Sequence, residues 1–362
     1  MIRRVLHFLV FALASGQCAA QSIVFINPGK STEAYWVTAA RAMEAAAANL
    51  GVRFETRYAE RDHLKTIEFA KQIAALPPGN RPDFVILTND NGTGPEMLRT
   101  LDAAGIKTFL AFSSIPADAR GGVGGPRERY KGWLGSLEPH AEDAGYLTAK
   151  ALIAKARQEA PRGPDGKYHL IALAGDRTTP SSIRRNEGML KAVAEAGDVV
   201  VDQMVYAGWS KEKAAEQAEW LYERFPAARL VWAGNDLMAF GAMEALEKRG
   251  RKPGKDAWFS GVNTSKEAME GVRSGRMSAL AGGHYITGAW SVVMLYDYAH
   301  GRDFADEGLE LDRPMFALFD ARLAERYLGF GEDFTKLDFR RHSKVLNKSL
   351  KKYDFGFGQL LR

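Results

Sequence analysis

Asp83-Phe84-Val85-Ile86-Leu87-Thr88-Asn89-Asp90 decides the fold class. Phe84 to Leu87 is apolar at every position with no alternation, as in a strand buried on both faces, and such strands belong to parallel sheets covered by helices. The run stops at Thr88, Asn89 and Asp90, and a helical period resumes over 95 to 104 before Gly105. Strand, polar turn and helix make one βα unit, which predicts the same unit on either side.

Upstream, Ile23 to Ile26 reads as a strand, and Trp36, Ala39, Ala40, Met43, Ala46, Ala47 and Leu50 recur at helical spacing before Gly51, a left-handed cap. Val52, Phe54, Thr56 and Tyr58 alternate as a second strand, and a helix over 62 to 75 is broken by Pro77, Pro78 and Gly79. Downstream, Ile106 to Phe112 supplies another strand. The loop with Gly121, Gly122, Gly124, Gly125 and Pro126 marks a composition shift and is the expected boundary between two lobes.

A second array follows, with strands at 168 to 174, 199 to 205, 229 to 233 and 257 to 262, and helices at 139 to 159, 181 to 196, 210 to 224 and 236 to 249. After residue 264 the pattern loosens into a helix over 265 to 274, a short run Ser278 to Ala281, a helix over 286 to 300 and a strand Pro314 to Phe319. The 362 residues, 46% hydrophobic and 26% charged, suffice for two domains of this α/β class and exclude a disordered chain. A net charge of +5 is too small to argue for nucleic acid. The basic, aromatic stretch from Asp333 to Arg362 reads as a solvated tail packed by its aromatics.

Arg3 and Arg4 precede an apolar run from Val5 to Ala14, and Cys18-Ala19-Ala20 offers small residues for cleavage before Gln21. Residues 1–20 are therefore expected to be a signal peptide, since about ten apolar residues fall far short of the roughly 20 that span a bilayer. The single cysteine, Cys18, lies within that leader, so the mature chain would carry no thiol for a disulfide, a nucleophile or a zinc site. Gln17 is larger than the small residue that precedes an acylated cysteine, so a lipid anchor on Cys18 is not expected.

Signs of catalysis are sparse. The loop Asn27-Pro28-Gly29-Lys30-Ser31 has one glycine and is neither a phosphate loop nor a dinucleotide fingerprint. There is no Gly-x-Ser-x-Gly elbow and no His-Glu-x-x-His helix, and the seven histidines show no metal-ligand spacing. No cofactor and no metal are expected, and the reading is not that of an enzyme. Ligands of open α/β sheets bind beyond the carboxyl ends of the strands. Those positions carry Glu33, Tyr35 and Trp36, then Asn89 and Asp90, then Arg184 and Arg185, then Trp209, Asn235 with Asp236, and Asn263. Rings beside planar polar groups suit a small polyhydroxylated ligand. Taken one at a time, the tryptophans could equally be core and the Asn and Asp residues helix caps.

Six segments in order resemble the type I periplasmic binding proteins of the ribose-binding, sugar-transport group. They are Glu33-Ala34-Tyr35-Trp36; Asp83 to Asp90; Ala104-Gly105-Ile106-Lys107; Arg185-Asn186-Glu187-Gly188-Met189; Val231 to Gly241; and Gly261-Val262-Asn263 leading to Gly275-Arg276-Met277. The resemblance implies two similar doubly wound parallel-sheet lobes joined by three crossovers, with residues 21–113 plus 284–310 in one lobe, 114–283 plus 311–330 in the other, and 331–362 as a tail. It implies ligand contacts from Tyr35, Trp36, Asp90, Arg185, Trp209, Asn235 and Asn263, and Glu33 and Asn89 join them as expected contacts from their strand-end positions. Position 263 is Asn where sugar binders commonly carry Asp, and position 283 is Gly where they often carry Gln, which makes His284 the expected substitute contact. The implied protein is a periplasmic, monomeric solute-binding protein that closes on a carbohydrate-like ligand and delivers it to an ABC-type membrane permease. The alternative is a receptor for a sugar-like signal that reports to a membrane sensor protein. DNA-binding repressors share this ligand fold, but the leader stands where their helix-turn-helix would be.

Overall fold

In the computed structural model, residues 20–357 are described; the expected signal peptide up to Ala19, with Cys18, lies outside them. The chain opens with β1 (Ser22–Asn27), α1 (Ala34–Leu50), β2 (Arg53–Tyr58), α2 (His63–Ala74), β3 (Phe84–Leu87), α3 (Gly94–Ala103), β4 (Lys107–Ala111) and β5 (Trp133–Pro139). It continues with α4 (Ala141–Glu159), β6 (Tyr168–Ala174), α5 (Pro180–Ala196), β7 (Val199–Tyr206), α6 (Lys211–Arg224), β8 (Ala228–Ala233), α7 (Asp236–Lys248), β9 (Trp258–Val262), α8 (Lys266–Ser274) and β10 (Ala279–Gly282). It ends with α9 (Thr287–Ala299), β11 (Glu310–Arg313), β12 (Ala317–Leu318) and α10 (Ala321–Phe330).

Two six-stranded sheets result, ordered β11-β5-β4-β3-β1-β2 and β12-β10-β9-β8-β6-β7. All pairs are parallel except β10 with β12, which is antiparallel. Strand β3 is buried at all four positions, as its unbroken apolar run requires, and Gly51 ends α1 at φ 69°, a conformation costly for any residue with a Cβ. The chain passes between the sheets three times, after β5, after β10 and after β11, so each lobe is assembled from separated segments.

The expected lobe boundary after residue 113 is corrected. Trp133-Leu134-Gly135-Ser136-Leu137-Glu138-Pro139 forms β5 beside β4, so the first lobe runs on to Pro139 and the glycine loop is an excursion within it. Leu311 to Arg313, assigned to the second lobe, continue from Glu310 as β11 and pair with β5 in the first, where their backbone satisfies the outer edge of that strand. The expected strand 314 to 319 shrinks to Ala317–Leu318 because residues 314 to 316 are the third crossover.

Helices α1 and α9 pack together against the first sheet, and α4 packs on α5 and the second sheet. Trp133, Trp232 and Trp290 are fully buried, each worth about 2 to 3 kcal/mol as area removed from water. The Trp232 indole N–H donates to Thr148 Oγ1 at 3.0 Å. The aromatics of the tail pack as expected: Phe334, Phe339, Tyr353, Phe355 and Phe357 are all buried.

Candidate functional site

The carboxyl ends of both sheets face each other across a narrow cleft lined by residues of both lobes. The lobes touch across it: Asn91 N–H donates to Thr179 Oγ1 at 3.1 Å, and Arg184 Nη1 lies 3.3 Å from Asp312 Oδ2. The arrangement is closed.

Nine of the expected residues line this cleft: Glu33, Tyr35, Trp36, Asp90, Arg185, Trp209, Asn235, Asn263 and His284. Asn89 does not. Its Nδ2 donates to Ser114 O at 3.1 Å and its Oδ1 accepts from Gly94 N at 3.0 Å, so it fixes the turn after β3. Arg61, Phe112, Ser113, Pro139 and Ser181 also line the cleft and were not anticipated.

Of the eight non-glycine residues with positive φ among those described, Arg61, Phe112, Trp209 and Asn263 line the cleft. Such conformations persist only where surroundings hold them, and they gather at functional sites. The pair Glu60 (φ 56°) and Arg61 (φ 64°) is pinned by bonds from their N–H groups to Gly29 O and Pro28 O, both 3.0 Å. That turn swings the Arg61 guanidinium to Glu33, which accepts from Nε at 2.8 Å and from Nη2. Glu33 stands at the N-cap of α1 without capping it, because its carboxylate is taken by Arg61. Asp90 lies 3.9 Å from Arg61 and accepts from Ser113 Oγ at 3.1 Å. Burial pushes its carboxyl up to about 6, with Arg61 opposing.

From the other side, Arg185 Nη1 donates to Gly234 O at 2.7 Å and Nη2 to His284 Nε2 at 3.0 Å, leaving Nε without a partner. A guanidinium can only donate, so His284 accepts on Nε2 and carries its proton on Nδ1. Burial and the neighbouring Arg185 hold His284 well below its ordinary value, hence neutral. Its ring is stacked between Tyr35 (4.6 Å) and Phe316 (4.4 Å), and Arg185 sits over Trp209 and Phe316. Burial holds the Arg185 guanidinium down to about 10.

Trp209 donates its indole N–H to Asp176 Oδ2 at 2.8 Å, and its ring lies so close to Gly175 that a Cβ there would come within 2.2 Å of it. Asn235 caps α7 by accepting from Met238 N at 2.8 Å, and Asn263 donates to the buried Asp236 at 2.8 Å. The capping alternative therefore holds for Asn235, although it still borders the cleft. Trp36 is 4% exposed and packs on Phe112 at 5.2 Å, so it is as much core as wall. Among the described residues, no group of His, Cys, Asp and Glu is placed to hold a metal ion, and no helix is long and apolar enough to cross a membrane.

The model of the periplasmic binding protein domain matches residues 23–303. The chain belongs to this family. A periplasmic sugar-binding protein from Pseudomonas fluorescens is 36% identical, with a TM-score of 0.85 over 94% of this chain and 100% of that one. Among curated relatives, the Escherichia coli HTH-type transcriptional regulator AscG is 36% identical over 86 residues, and the xylitol-binding protein of Mycolicibacterium smegmatis is 27% identical over 111. These matches span 24% and 30% of this chain and about a quarter and a third of those relatives' own lengths.

Proposed function

We propose that this is an exported, periplasmic solute-binding protein that closes on one neutral sugar or polyol and delivers it to an ABC-type permease, without chemistry on the ligand. The charge balance of the cleft carries the reading. Glu33 and Asp90 are offset by Arg61 and Arg185, while His284 is neutral. A neutral ligand preserves that balance in a buried site, whereas an uncompensated charge would be expensive. Hydroxyls can donate to Asp90 and accept from the free Nε–H of Arg185, and C–H faces can lie on Tyr35 and Trp209. The sugar-binding and xylitol-binding relatives support this ligand class.

Thermal unfolding in the presence of pentoses, hexoses, polyols and furanosyl signal compounds tests it. A ligand at about 100 times its Kd adds about 2.7 kcal/mol, a shift of several degrees. Stabilisation by a neutral sugar or polyol is expected. A response only to charged compounds, or to none of the panel, overturns the proposal.

A further inference from the structure

The last part of the chain departs from the repeated lobes. Helix α10 packs on α8 of the second lobe, and the chain then turns through Gly331 (φ 62°) and Glu332 (φ 52°). Two consecutive left-handed residues, one of them a glutamate, need to be held in place. Glu332 is held from three directions. Its Oε2 accepts from Thr38 Oγ1 of α1 at 2.9 Å, its Oε1 from the Tyr327 hydroxyl at 2.9 Å, and its carbonyl from Arg41 Nη2 at 3.2 Å. The Tyr327 hydroxyl lies 3.2 Å from Thr264 Oγ1 in the second lobe.

A continuous line of hydrogen bonds thus joins Thr38 of one lobe to Thr264 of the other through Glu332 and Tyr327. Both ends are tied to the cleft, because Thr38 follows Tyr35 by one turn of α1 and Thr264 directly follows Asn263. Beyond the turn the segment is anchored to the first lobe. Asp297 of α9 accepts from Ser343 Oγ, from Lys344 N at 2.7 Å and from the Tyr353 hydroxyl at 2.8 Å, and Phe355 stacks on Trp290 at 5.1 Å. Phe357 lies over Gly283 in the second crossover, where a Cβ would approach its ring to 2.3 Å.

We infer that α10 and the segment after it form a latch across the hinge. It assembles when the lobes close and breaks at the Thr38–Glu332–Tyr327–Thr264 line when they part. One end of the segment is fixed on α8 and the other on α9, so a change of lobe angle falls on the turn between them. The closed-to-open ratio is then set partly by residues that never touch the ligand. This goes beyond the sugar-binding proposal and does not depend on which solute binds.

Spin labels on Glu68→Cys (α2) and Glu216→Cys (α6), in a Cys18→Ser chain, read the distance between lobes with no solute added. The latch requires a closed population in the parent chain. Tyr327→Phe removes one hydroxyl and keeps the ring, and should lower the closed-to-open ratio about five-fold, the effect of one hydrogen bond. Thr38→Val should do the same from the other lobe, and decides the matter if Tyr327→Phe fails to fold. An unchanged distance distribution in the folded variants, or a parent chain found only open, overturns the latch. Failure of every sugar to bind would leave this measurement untouched.

Discussion

Arg185 should be a residue the fold would be better off without. It is 6% exposed, donates to one carbonyl and one neutral imidazole, and has no carboxylate among its hydrogen-bond partners. A guanidinium held down to about 10 by burial costs the folded state about 3 kcal/mol at neutral pH. Its two hydrogen bonds return part of that, about 1 to 2 kcal/mol. Arg185→Met keeps an unbranched side chain against Trp209 and Phe316 and removes the charge, so the ligand-free protein should be unchanged or more stable by about 1 to 2 kcal/mol. Ligand affinity should fall in the opposite sense, by about 3 kcal/mol or 100-fold, through loss of charge-assisted bonds in a closed cleft. Paired melting curves, with and without the sugar or polyol that stabilises the parent, measure both quantities on one sample. A ligand-free melting temperature that drops by about 5 °C or more would show that Arg185 is a structural anchor, and a retained ligand shift would remove it from the site.

The other predictions concern the two walls and the hinge. The Asp90 carboxyl, at about 6, lies above its unfolded value, so its share of stability is full below the unfolded carboxylate range and lost as pH rises through 6. Relative to Asp90→Asn, the parent should therefore gain about 1 kcal/mol between pH 7 and pH 5 in urea titrations, and a flat difference would contradict this. Trp209→Ala should weaken sugar binding at least ten-fold and leave the circular dichroism spectrum native; unfolding would mean that the ring belongs to the core. Gly175→Ala should weaken binding too, because its Cβ must displace that ring, and unaltered affinity would show that the ring does not need its present place. Gly283→Ala combines φ 104° with a Cβ forced into Phe357, and should cost about 2 kcal/mol or more in urea unfolding; a loss under about 0.5 kcal/mol would refute the packing argument.

Much of this architecture was legible in the sequence because its strands are apolar runs between clear breaks. Phe84 to Leu87 and Tyr168–Ala174 lie where the pattern puts them. Strand β5 was hidden because it contains Gly, Ser, Glu and Pro and follows a glycine loop, and β11 because four residues, three of them charged, read as loop. Eight cleft residues were found because strand carboxyl ends are predictable places, and His284 through the family resemblance at position 283. Asn89 and Asp90 are adjacent and chemically alike, and only the turn decides which one lines the cleft. Arg61 follows β2 as visibly as Asp90 follows β3, but its direction depends on two left-handed residues that no propensity announces. Phe316 lies in a crossover, outside any periodic element.

The threefold passage of the chain between its sheets also has a bearing on when the protein can fold. Gln21 bonds to Leu295 O, 274 positions away, and α1 is covered by α9 only after β6 to β10 of the second lobe have been made. During synthesis the leading segment therefore has no finished partner to collapse against, and long-range closure of this kind is slow. The first sheet can be completed only once Glu310–Arg313, its edge strand, has been made.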